Sequence, residues 1–200
     1  MERNMIQLYS INTNNYEKSI SKHNLENLFK FTIINDNSKP DRYYKIFPHL
    51  IFNDPIVVYC DANLTLTDPK KLLDLVNLLK DSESSSLFFK HPDRTNARQE
   101  IVECINRRLL FPKDLEQYNS WRKEGFPDNI LLTENNVIIR KINNKDLINF
   151  ENIWYNEYEK GMLRDQPSSL YARWKSSYNN IIILDHNIKT QIFKWRFHGT

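Results

Sequence analysis

The segment Ile56-Val57-Val58-Tyr59-Cys60-Asp61-Ala62-Asn63 joins a short apolar run to a polar turn. A continuous apolar run with β-branched residues is typical of a strand that is buried on both faces of a sheet. In open α/β sheets, ligands bind beyond the carboxyl ends of such strands. Asp61 and Asn63 therefore lie where a binding site is expected. Both carry oxygen atoms that suit Mg²⁺ or Mn²⁺, although the same residue types also form turns that bind nothing.

The composition is that of an ordinary globular protein. The chain has 200 residues, which is enough for one domain with a substantial core. Charged residues make up 26% of it and hydrophobic residues 40%, and its net charge of +3 is too small to indicate a nucleic-acid partner. With only 3 glycines, the sequence has neither a Gly-rich phosphate loop nor a dinucleotide-binding fingerprint. A cation or basic side chains would have to bind any phosphate.

The two cysteines, Cys60 and Cys104, provide no disulfide framework, and a reducing cytoplasm fits them. No signal peptide is recognisable at the N-terminus, and no stretch approaches the ~20 apolar residues of a membrane span. We therefore expect a cytoplasmic protein without a membrane span. Residues 192–198 alternate between apolar and polar and then stop, which leaves open that the domain is excised from a longer chain.

Strands and helices are predicted to alternate in the first half of the chain, where short β-branched and aromatic runs are followed by amphipathic segments. Strands are expected at 5–10, 29–34, 56–60 and 87–89. Helices are expected at 42–47, 69–79, 100–105 and 114–123. Polar loops follow the first two strands. If these strands are parallel to the strand at 56–60, the loops after all three strands share one edge of the sheet.

The second half differs because a hairpin is predicted in it, with strands at 131–134 and 137–140 about a tight Asn135-Asn136 turn. A helix should carry the apolar stripe of Leu147, Phe150, Trp154 and Tyr158 and end at Gly161. Another helix should run from Met162 through Trp174, and a late strand from Ile181 to Leu184. The whole pattern predicts an α/β protein with a mixed central sheet flanked by helices.

Arg42 and Lys45 are three residues apart in a predicted helix, so they share one of its faces. Two interpretations are open. The residues form a solvated basic face, or they form a clamp on a phosphate group.

Several segments in a fixed order carry a resemblance to a known family. The segments are Tyr59-Cys60-Asp61-Ala62-Asn63, His91-Pro92-Asp93-Arg94 and Arg164-Asp165-Gln166, with Arg42-Tyr43-Tyr44-Lys45-Ile46 upstream. The set resembles small GT-A type glycosyltransferase-like domains. It is most similar to the group that includes the plant TOD1/MUCI70-like proteins and the N-terminal glycosyltransferase domain of multidomain chlorovirus enzymes. The resemblance spans about Tyr9 to about Trp174.

The resemblance implies a single GT-A-like, Rossmann-related domain over residues 1–200. The nucleotide-sugar-binding half would cover about residues 1–90 and the acceptor-side half about residues 91–200. Further domains would be possible partners in a full-length chain, and a viral source would place the protein in the host cytoplasm.

The resemblance also implies a nucleotide-sugar donor, most often a UDP-sugar such as UDP-glucose, and a divalent cation, Mn²⁺ or Mg²⁺. Asp61 and Asn63 occupy the place of the family's Asp-x-Asp motif and would be metal ligands, with an amide in place of the second carboxylate. The donor-binding residues that the resemblance implies are Asn12, Thr13, Asp36, Arg42, Lys45, Asp61 and Asn63.

Glycosyl transfer places growing negative charge on the leaving diphosphate, which a metal and nearby cations stabilise. An inverting enzyme also needs a carboxylate that deprotonates the acceptor hydroxyl. Asp165 is our candidate for this catalytic base, since a carboxylate at a helix start resembles the acidic motif of many GT-A enzymes. The alternative is that Asp165 only caps its helix.

The predicted sugar and acceptor residues are His91, Arg94, Arg164 and Gln166. His91 could instead be a histidine satisfied at the end of its strand. His186 and His198 are possible third metal ligands, and Glu100 is interpreted as a charge on a helix face.

The expected function is metal-dependent transfer of a hexose from a nucleotide sugar to a glycan or another hydroxyl acceptor, without nucleic acid as a partner. One alternative is a non-catalytic module of the same fold that binds nucleotide sugars or glycans. The other is a nucleic-acid-binding domain, which would bind any oligonucleotide with an affinity that falls steeply with salt.

Overall fold

The computed structural model describes residues 5–17 and 22–196 of the chain. The strands of this part are β1 (Ile6–Ile11), β2 (Phe29–Ile34), β3 (Ile56–Cys60), β4 (Leu64–Leu66), β5 (Ser86–Lys90), β6 (Thr133–Lys141), β7 (Ile181–Leu184) and β8 (Phe193–Trp195). The α-helices are α1 (Asp41–Ile46), α2 (Pro69–Asp81), α3 (Ala97–Asn106), α4 (Asp114–Lys123), α5 (Lys145–Glu159), α6 (Asp165–Lys175) and α7 (His186–Thr190).

A six-stranded mixed sheet in the order β2-β1-β3-β6-β5-β7 forms the centre of the molecule. Strand β1 pairs in parallel with β2 and β3, and β5 pairs in parallel with β7. Strand β6 is antiparallel to both of its neighbours, β3 and β5. A separate two-stranded antiparallel sheet joins β4 to β8. The predicted mixed sheet and the shared edge for the loops after β1, β2 and β3 are confirmed.

The core lies on both faces of the central sheet, because successive residues of a strand point to opposite faces. On one face, Val58 and Cys60 pack in a cluster with Leu72 and Val76 of α2. On the other face, a second cluster surrounds Val57 and contains apolar residues of α5: Leu147, Phe150 and Trp154. The continuous apolar run of β3 is therefore explained by burial on two sides.

A third apolar cluster joins α3, α4 and α6. Trp121 and Tyr171 stack with ring centroids 4.6 Å apart, and Phe126 meets Tyr171 edge to face at 5.7 Å. Aromatic pairs of this kind add about 0.5–1.5 kcal/mol beyond the burial of their area. This cluster packs the middle of α6, through Leu170 and Tyr171, against α3 and α4.

Helix boundaries follow the signals in the sequence where those signals are local. Asp68 caps α2 by accepting a hydrogen bond from Lys71 N at 3.0 Å. Gly161, just beyond α5, has a φ of +123°, a conformation that favours glycine.

The predicted hairpin about Asn135-Asn136 is wrong. Strand β6 runs unbroken from Thr133 to Lys141, and both asparagines lie within it. Asn-Asn is a turn signal in isolation, but here the backbone carbonyl of Asn136 accepts a hydrogen bond from Asp61 N at 2.8 Å, which extends the β3–β6 ladder. Tertiary pairing with β3 overrides the local turn preference.

The start of the sixth helix is also corrected, because α6 begins at Asp165 rather than at Met162. Within the alternating segment near the end of the sequence, Phe193–Trp195 forms β8. The predicted metal ligand His198 lies outside the described residues. Across 5–17 and 22–196, every helix is too short or too polar to cross a membrane.

Candidate active site

A cavity of about 630 Å³ opens at the carboxyl edge of the central sheet. The loops after β1 and β3, the helix α1, the first residues of β6 and the start of α6 form its walls. The first residues of β6 reach this edge because β6 is antiparallel to β3. Eight of the predicted site residues line the cavity: Thr13, Arg42, Lys45, Asp61, Asn63, Arg164, Asp165 and Gln166.

Asp61 presents its carboxylate to this cavity directly after β3. Its Oδ1 accepts a 2.5 Å hydrogen bond from the Tyr59 hydroxyl and lies 3.5 Å from Lys45 Nζ. Burial and the neighbouring Asp61 charge raise the pKa of Tyr59 well above its ordinary value, so the phenol stays a donor. Asp61 Oδ2 has no partner among the described residues, and 34% of the side chain is exposed.

Asn63 is more deeply placed, with 3% of its surface exposed. Its Nδ2 donates to the backbone oxygen of Arg196 at 3.2 Å, and its own backbone oxygen accepts from Arg196 N at 2.9 Å. These bonds tie the loop after β3 to the end of β8. Part of the role of Asn63 is thus structural.

Lys45 and Arg42 of α1 do not form a solvated face. Lys45 Nζ lies 2.6 Å from Asp165 Oδ2 with 3% of its side chain exposed, and Arg42 Nη2 lies 3.8 Å from Asp165 Oδ1 with 21% exposed. Arg42 also pairs with Asp41 at 2.5 Å. The cavity therefore has a largely buried cationic wall, and the Asp165 carboxylate pairs with both of its cations.

Asp165 is fully ionised in this setting. Burial alone would raise its pKa, but Lys45, Arg42 and Arg164 hold the pKa well below its ordinary value. The interpretation of Asp165 as a helix cap is wrong, because Arg164 occupies the cap position of α6 and the Asp165 carboxylate pairs with α1 instead.

A buried arginine fixes the position of α1. Arg140 of β6 donates from Nη2 to the backbone oxygen of Lys45 and to the hydroxyl of Tyr9, at 2.7 Å each. Its Nη1 lies 3.0 Å from Glu151 Oε1 of α5. Because Arg140 and Glu151 are both fully buried, the last turn of α1, which carries Lys45, is held rigidly against the sheet.

The loop after β1 is shaped by Asn12 rather than lined by it. Asn12 Oδ1 accepts from Glu17 N at 2.8 Å, and Asn12 Nδ2 donates to Glu17 O at 3.1 Å. This clasp presents Thr13, Asn14 and Tyr16 to the cavity. Of the two predicted donor-binding residues in this loop, Thr13 lines the cavity and Asn12 supports the loop.

Asp36 lies outside the cavity lining. Its carboxylate accepts hydrogen bonds from Tyr44 OH at 2.6 Å and Ser38 N at 2.9 Å, and these bonds lower its pKa. Asp36 thus braces the segment that leads into α1, and its predicted contact with the nucleotide stays a prediction.

His91 and Arg94 also lie outside the cavity lining. His91 Nδ1 accepts from Asp93 N and Arg94 N at 3.1 Å each, and its Nε2 lies 2.8 Å from Arg94 Nη2. His91 is thus satisfied at the end of β5, which is the simpler of the two interpretations.

Glu100 lies at the centre of a buried charge cluster that includes Arg94 and Arg164. The interpretation of it as an exposed helix-face charge is wrong, since it is 1% exposed. It hydrogen-bonds to Arg94 Nε, accepts from Cys104 Sγ at 3.2 Å, and lies 3.8 Å from Arg164 Nη2. Arg164 therefore links this buried cluster to the cavity wall. Gln166 also lines the cavity, and its buried Oε1 accepts no hydrogen bond from the described residues.

Other residues that line the cavity or support its wall were not predicted from the sequence. Asn135 donates from Nδ2 to Asp165 O and to Ser169 Oγ, at 3.0 Å each, and so fixes the start of α6. Asn136 and Trp195 also line the cavity. The asparagine pair resembled a turn, and a single tryptophan near the end of the sequence gave no spacing signal.

The predicted third metal ligand His186 does not line the cavity. Its Nδ1 lies 2.7 Å from Glu134 Oε2, which also receives Lys189 Nζ at 2.5 Å. Within 5–17 and 22–196, no three His, Cys, Asp or Glu side chains form a group that could hold a metal ion.

Comparison with known proteins gives a fold but no family. No protein-family model matches the chain, and no curated protein sequence matches it. Among solved structures it is similar to apo mouse xyloside xylosyltransferase 1, at 9% identity and a TM-score of 0.49 over 90% of this chain and 85% of that one. It is also similar to the apo bifunctional glycosyltransferase WbbM, at 8% identity and a TM-score of 0.50 over 90% of this chain and 38% of that one.

At such identities the similarity concerns the fold. Together with the observed strand order, the similarity to WbbM identifies a GT-A-like, Rossmann-related α/β fold, as predicted. Similarity to the TOD1/MUCI70-like group and to chlorovirus enzymes stays an interpretation of the sequence.

Proposed function

We propose that the chain is a glycosyltransferase that transfers a hexose from a UDP-linked sugar to a hydroxyl group of a glycan. The proposal is carried by one observation: buried Lys45 and partly buried Arg42 line the cavity at the carboxyl edge of the sheet together with the Asp61 carboxylate, which lies 3.5 Å from Lys45 Nζ. Lys and Arg make strong charged hydrogen bonds to phosphate oxygens. The fold is one that glycosyltransferases such as WbbM share, and this analogy supports the proposal without carrying it.

The cationic wall suits the chemistry of transfer. When the bond between the anomeric carbon and the diphosphate breaks, negative charge develops on the leaving oxygen. Cations that are already fixed stabilise this charge without reorganisation. Asp165 and Arg140 fix Lys45 in this way before any substrate arrives, the first through the ammonium group and the second through the backbone carbonyl.

Asp61 fits the role of a ligand for Mn²⁺ or Mg²⁺, which we propose as the cofactor. Its Oδ2 lines the cavity without a partner among the described residues, and hard cations prefer carboxylate oxygen. Asn63 would add its amide oxygen. When bound, the cation would supply further charge stabilisation to the diphosphate.

The role of Asp165 as the catalytic base stays a prediction. A base works best when its pKa lies near the working pH, whereas Lys45 and Arg42 hold the pKa of Asp165 well below its ordinary value. Its contacts favour another role, in which Asp165 keeps both cations in place for the diphosphate.

A non-catalytic nucleotide-sugar-binding or glycan-binding module is the second candidate. Asn63 favours it, because the position of the second carboxylate in the motif carries an amide that is buried and bonded to the backbone of Arg196. Such a module would bind the donor in the same cavity and release no product.

The test is a panel of nucleotide sugars with Mn²⁺, with Mg²⁺ and with chelator, read as thermal stabilisation and as release of the free nucleotide diphosphate. A ligand at 100 times its dissociation constant stabilises the protein by about 2.7 kcal/mol. We expect stabilisation by UDP-sugars together with slow UDP release. Stabilisation without UDP release, with or without glycan acceptors, would support the binding module.

The matched control is Asp74→Ala on the exposed side of α2, compared with Asp61→Ala in the cavity. Both remove one carboxylate, so an effect common to both reflects net charge. Absence of stabilisation by every nucleotide sugar in the wild-type protein would overturn the proposed function. We further propose that the protein acts in a reducing cytoplasm, which suits the free, buried thiols of Cys60 and Cys104.

A further inference from the structure

A second cavity, of about 290 Å³, lies at the C-terminal end of α6. It shares no lining residue with the first cavity, which meets the N-terminal end of the same helix. Arg173 is eight residues after Asp165, which places it about 12 Å further along the helix axis. The lining residues, here called the Arg173 pocket, are Ile130, Arg173, Trp174, Ser177 and Asn179.

Arg173 carries a positive charge that no described carboxylate balances. Its guanidinium makes one hydrogen bond, from Nη2 to the backbone oxygen of Leu131 at 3.3 Å, and no acidic side chain of the described residues lies within 4.0 Å. Burial, with no opposing charge, lowers the pKa of Arg173 to about 10. By contrast, buried Arg140 pairs with Glu151 at 3.0 Å. Arg173 is partly buried, and even partial burial of an unpaired charge is costly, so an anion bound at the guanidinium would be favourable.

The other members of the pocket offer groups that suit a sugar ring. Phe126 and Tyr171 hold the Trp174 indole, each with its ring centroid 5.7 Å from that of Trp174. Rigid aromatic side chains of this kind provide apolar contact area next to polar groups. The side chains of Ser177 and Asn179 are exposed at the mouth of the pocket and have no hydrogen-bond partner among the described residues. A hydroxyl and an amide can both donate and accept.

The backbone places Ser177 at this mouth under strain. It has a φ of +55° at the end of α6, where Tyr178 N donates to Arg173 O at 3.0 Å and Ser177 N donates to Trp174 O at 3.0 Å. Glycine is the usual residue in this helix-ending motif. A serine here gives up some stability and adds a hydroxyl to the pocket.

We propose that the Arg173 pocket binds an acidic saccharide, that is, one sugar ring that carries a carboxylate or a phosphate group. The guanidinium of Arg173 would bind the anionic group as a fork, since its planar donors match both carboxylate and phosphate. Ser177 and Asn179 would bind ring hydroxyl groups, and Trp174 would contact the apolar face of the ring. The volume is at the lower end of the range for small-molecule sites, which suits a single monosaccharide.

The inference rests on the proposed function in one respect, the choice of a saccharide as the ligand, because the glycans that a glycosyltransferase modifies can contain acidic sugars. Binding is therefore measured without any nucleotide sugar. Failure of this test leaves donor binding in the other cavity untouched, and failure of donor binding leaves this test intact.

The experiment is calorimetric titration of the full chain with glucuronate, glucose 6-phosphate, glucose and inorganic phosphate. We expect both acidic sugars to bind at least tenfold more tightly than glucose and than inorganic phosphate, with an affinity that falls as salt is added. Binding of glucose as tight as that of glucuronate would overturn the proposal. So would inorganic phosphate binding as tightly as glucose 6-phosphate, because the ring would then make no contact.

Two variants locate the site. Arg173→Gln should weaken binding of the acidic sugars at least tenfold, and Arg98→Gln, on the exposed side of α3, should not. Asn179→Asp adds a negative charge at the exposed mouth without disturbing the core, so it should weaken binding even if Arg173→Gln fails to fold. Its control is Asn187→Asp, an equal charge on exposed α7. Wild-type affinity in Asn179→Asp, or in well-folded Arg173→Gln, would overturn the assignment.

Discussion

At the scale of single residues, the carboxylates of Asp61 and Asp165 differ in what surrounds them. One third of the Asp61 side chain is exposed, whereas Asp165 is 5% exposed and lies between two cations. Removing the first carboxylate should therefore affect mainly binding. Removal of the second should affect folding as well.

Asp61→Asn should fold as the wild-type protein does and lose most cation-dependent binding of the donor. The asparagine keeps an oxygen that accepts the hydrogen bond of the buried Tyr59 hydroxyl. Asp61→Ala should lower the free energy of unfolding by about 1–3 kcal/mol more than Asp61→Asn does, because the Tyr59 hydroxyl then has no acceptor. Calorimetric titration of UDP-glucose with Mn²⁺ and with chelator, next to urea unfolding, measures both effects. Unchanged Mn²⁺-dependent binding in Asp61→Asn would exclude Asp61 as a metal ligand.

Asp165→Asn should lower the free energy of unfolding by about 3 kcal/mol, because buried Lys45 loses its nearest carboxylate and Arg42 keeps only its pair with Asp41. If Asp165 anchors the cations, adding Lys45→Met should restore part of this stability, since the two changes are coupled. Urea unfolding of the two single variants and the double variant measures that coupling.

Transfer rates separate the two roles of Asp165. Loss of a general base costs roughly 10²–10⁴-fold in rate and leaves donor affinity intact. Loss of an anchor weakens donor affinity together with the rate. Asp41→Asn removes the other carboxylate that pairs with Arg42 on the cavity wall, and so measures how much of the effect comes through Arg42 alone.

Glu100→Gln should destabilise the fold by about 3 kcal/mol, since Arg94 and Arg164 lose the buried charge on which they converge. Glu103→Gln, one turn away, breaks an exposed pair with Arg107 and should cost at most about 1 kcal/mol. Equal melting temperatures for the two variants would show that the Glu100 charge contributes nothing to stability.

At the scale of elements, the segment after residue 22 is fixed to β4 by a neutral histidine. His23 Nδ1 accepts from Leu66 N at 3.0 Å, and its ring lies 4.2 Å from that of Phe31. Burial, assisted by the charge of Arg196, lowers the pKa of His23 to about 4. The folded state thus prefers the form that can accept this hydrogen bond.

His23 should make stability depend on pH between about 6.5 and 4. The unfolded chain takes up a proton near the ordinary pKa of about 6.5, whereas the folded chain does so only near 4. Its contribution is complete above pH 6.5 and is lost as the pH falls towards 4. Urea unfolding from pH 7 to 4 should show a shallower decline for His23→Gln, which keeps an acceptor and does not titrate. Parallel curves would contradict this assignment.

Most elements could be predicted because their signals are local. The apolar run of β3, the Asp68-Pro69 start of α2 and the glycine after α5 each act within a few residues. Strand β6 was mispredicted because its asparagines are explained only by pairing with β3.

In the candidate site, too, residues with a local signal could be predicted and residues without one could not. Asp61 could be located because it directly follows a strand that the sequence predicts, and Lys45 because of its helical spacing from Arg42. Glu100 could not be located, since a glutamate on a helix has the same local pattern whether solvent or two arginines surround it. Buried charge networks depend on contacts between distant segments.

At the scale of the whole molecule, the central sheet is continuous only when β6 is in place. Strand β6 separates β3 from β5 and hydrogen-bonds to both. The predicted division into a donor half, about 1–90, and an acceptor half, about 91–200, stays a functional prediction. It does not describe two folding units, because the sheet draws strands from both.

We therefore expect a chain of residues 1–130 to remain unfolded, although it contains β1, β2, β3 and β5. Without β6, the edges of β3 and β5 have no partner and one buried layer of the sheet is missing. Hydrogen exchange of the truncated chain should show no protected amides in β3, and mixing it with residues 131–200 should restore protection. Protection of β3 in the truncated chain alone would contradict this.

The place of β6 also has a consequence for synthesis in the cell. While the ribosome is still translating the segment between β5 and β6, two apolar strands have emerged with bare edges, and pairing of such edges between chains leads to aggregation. The pair between Val58 of β3 and Ile139 of β6 can form only after Ile139 has been synthesised, which is late in translation. The yield of folded protein should then depend on how fast this stretch is translated and on chaperones that shield nascent chains.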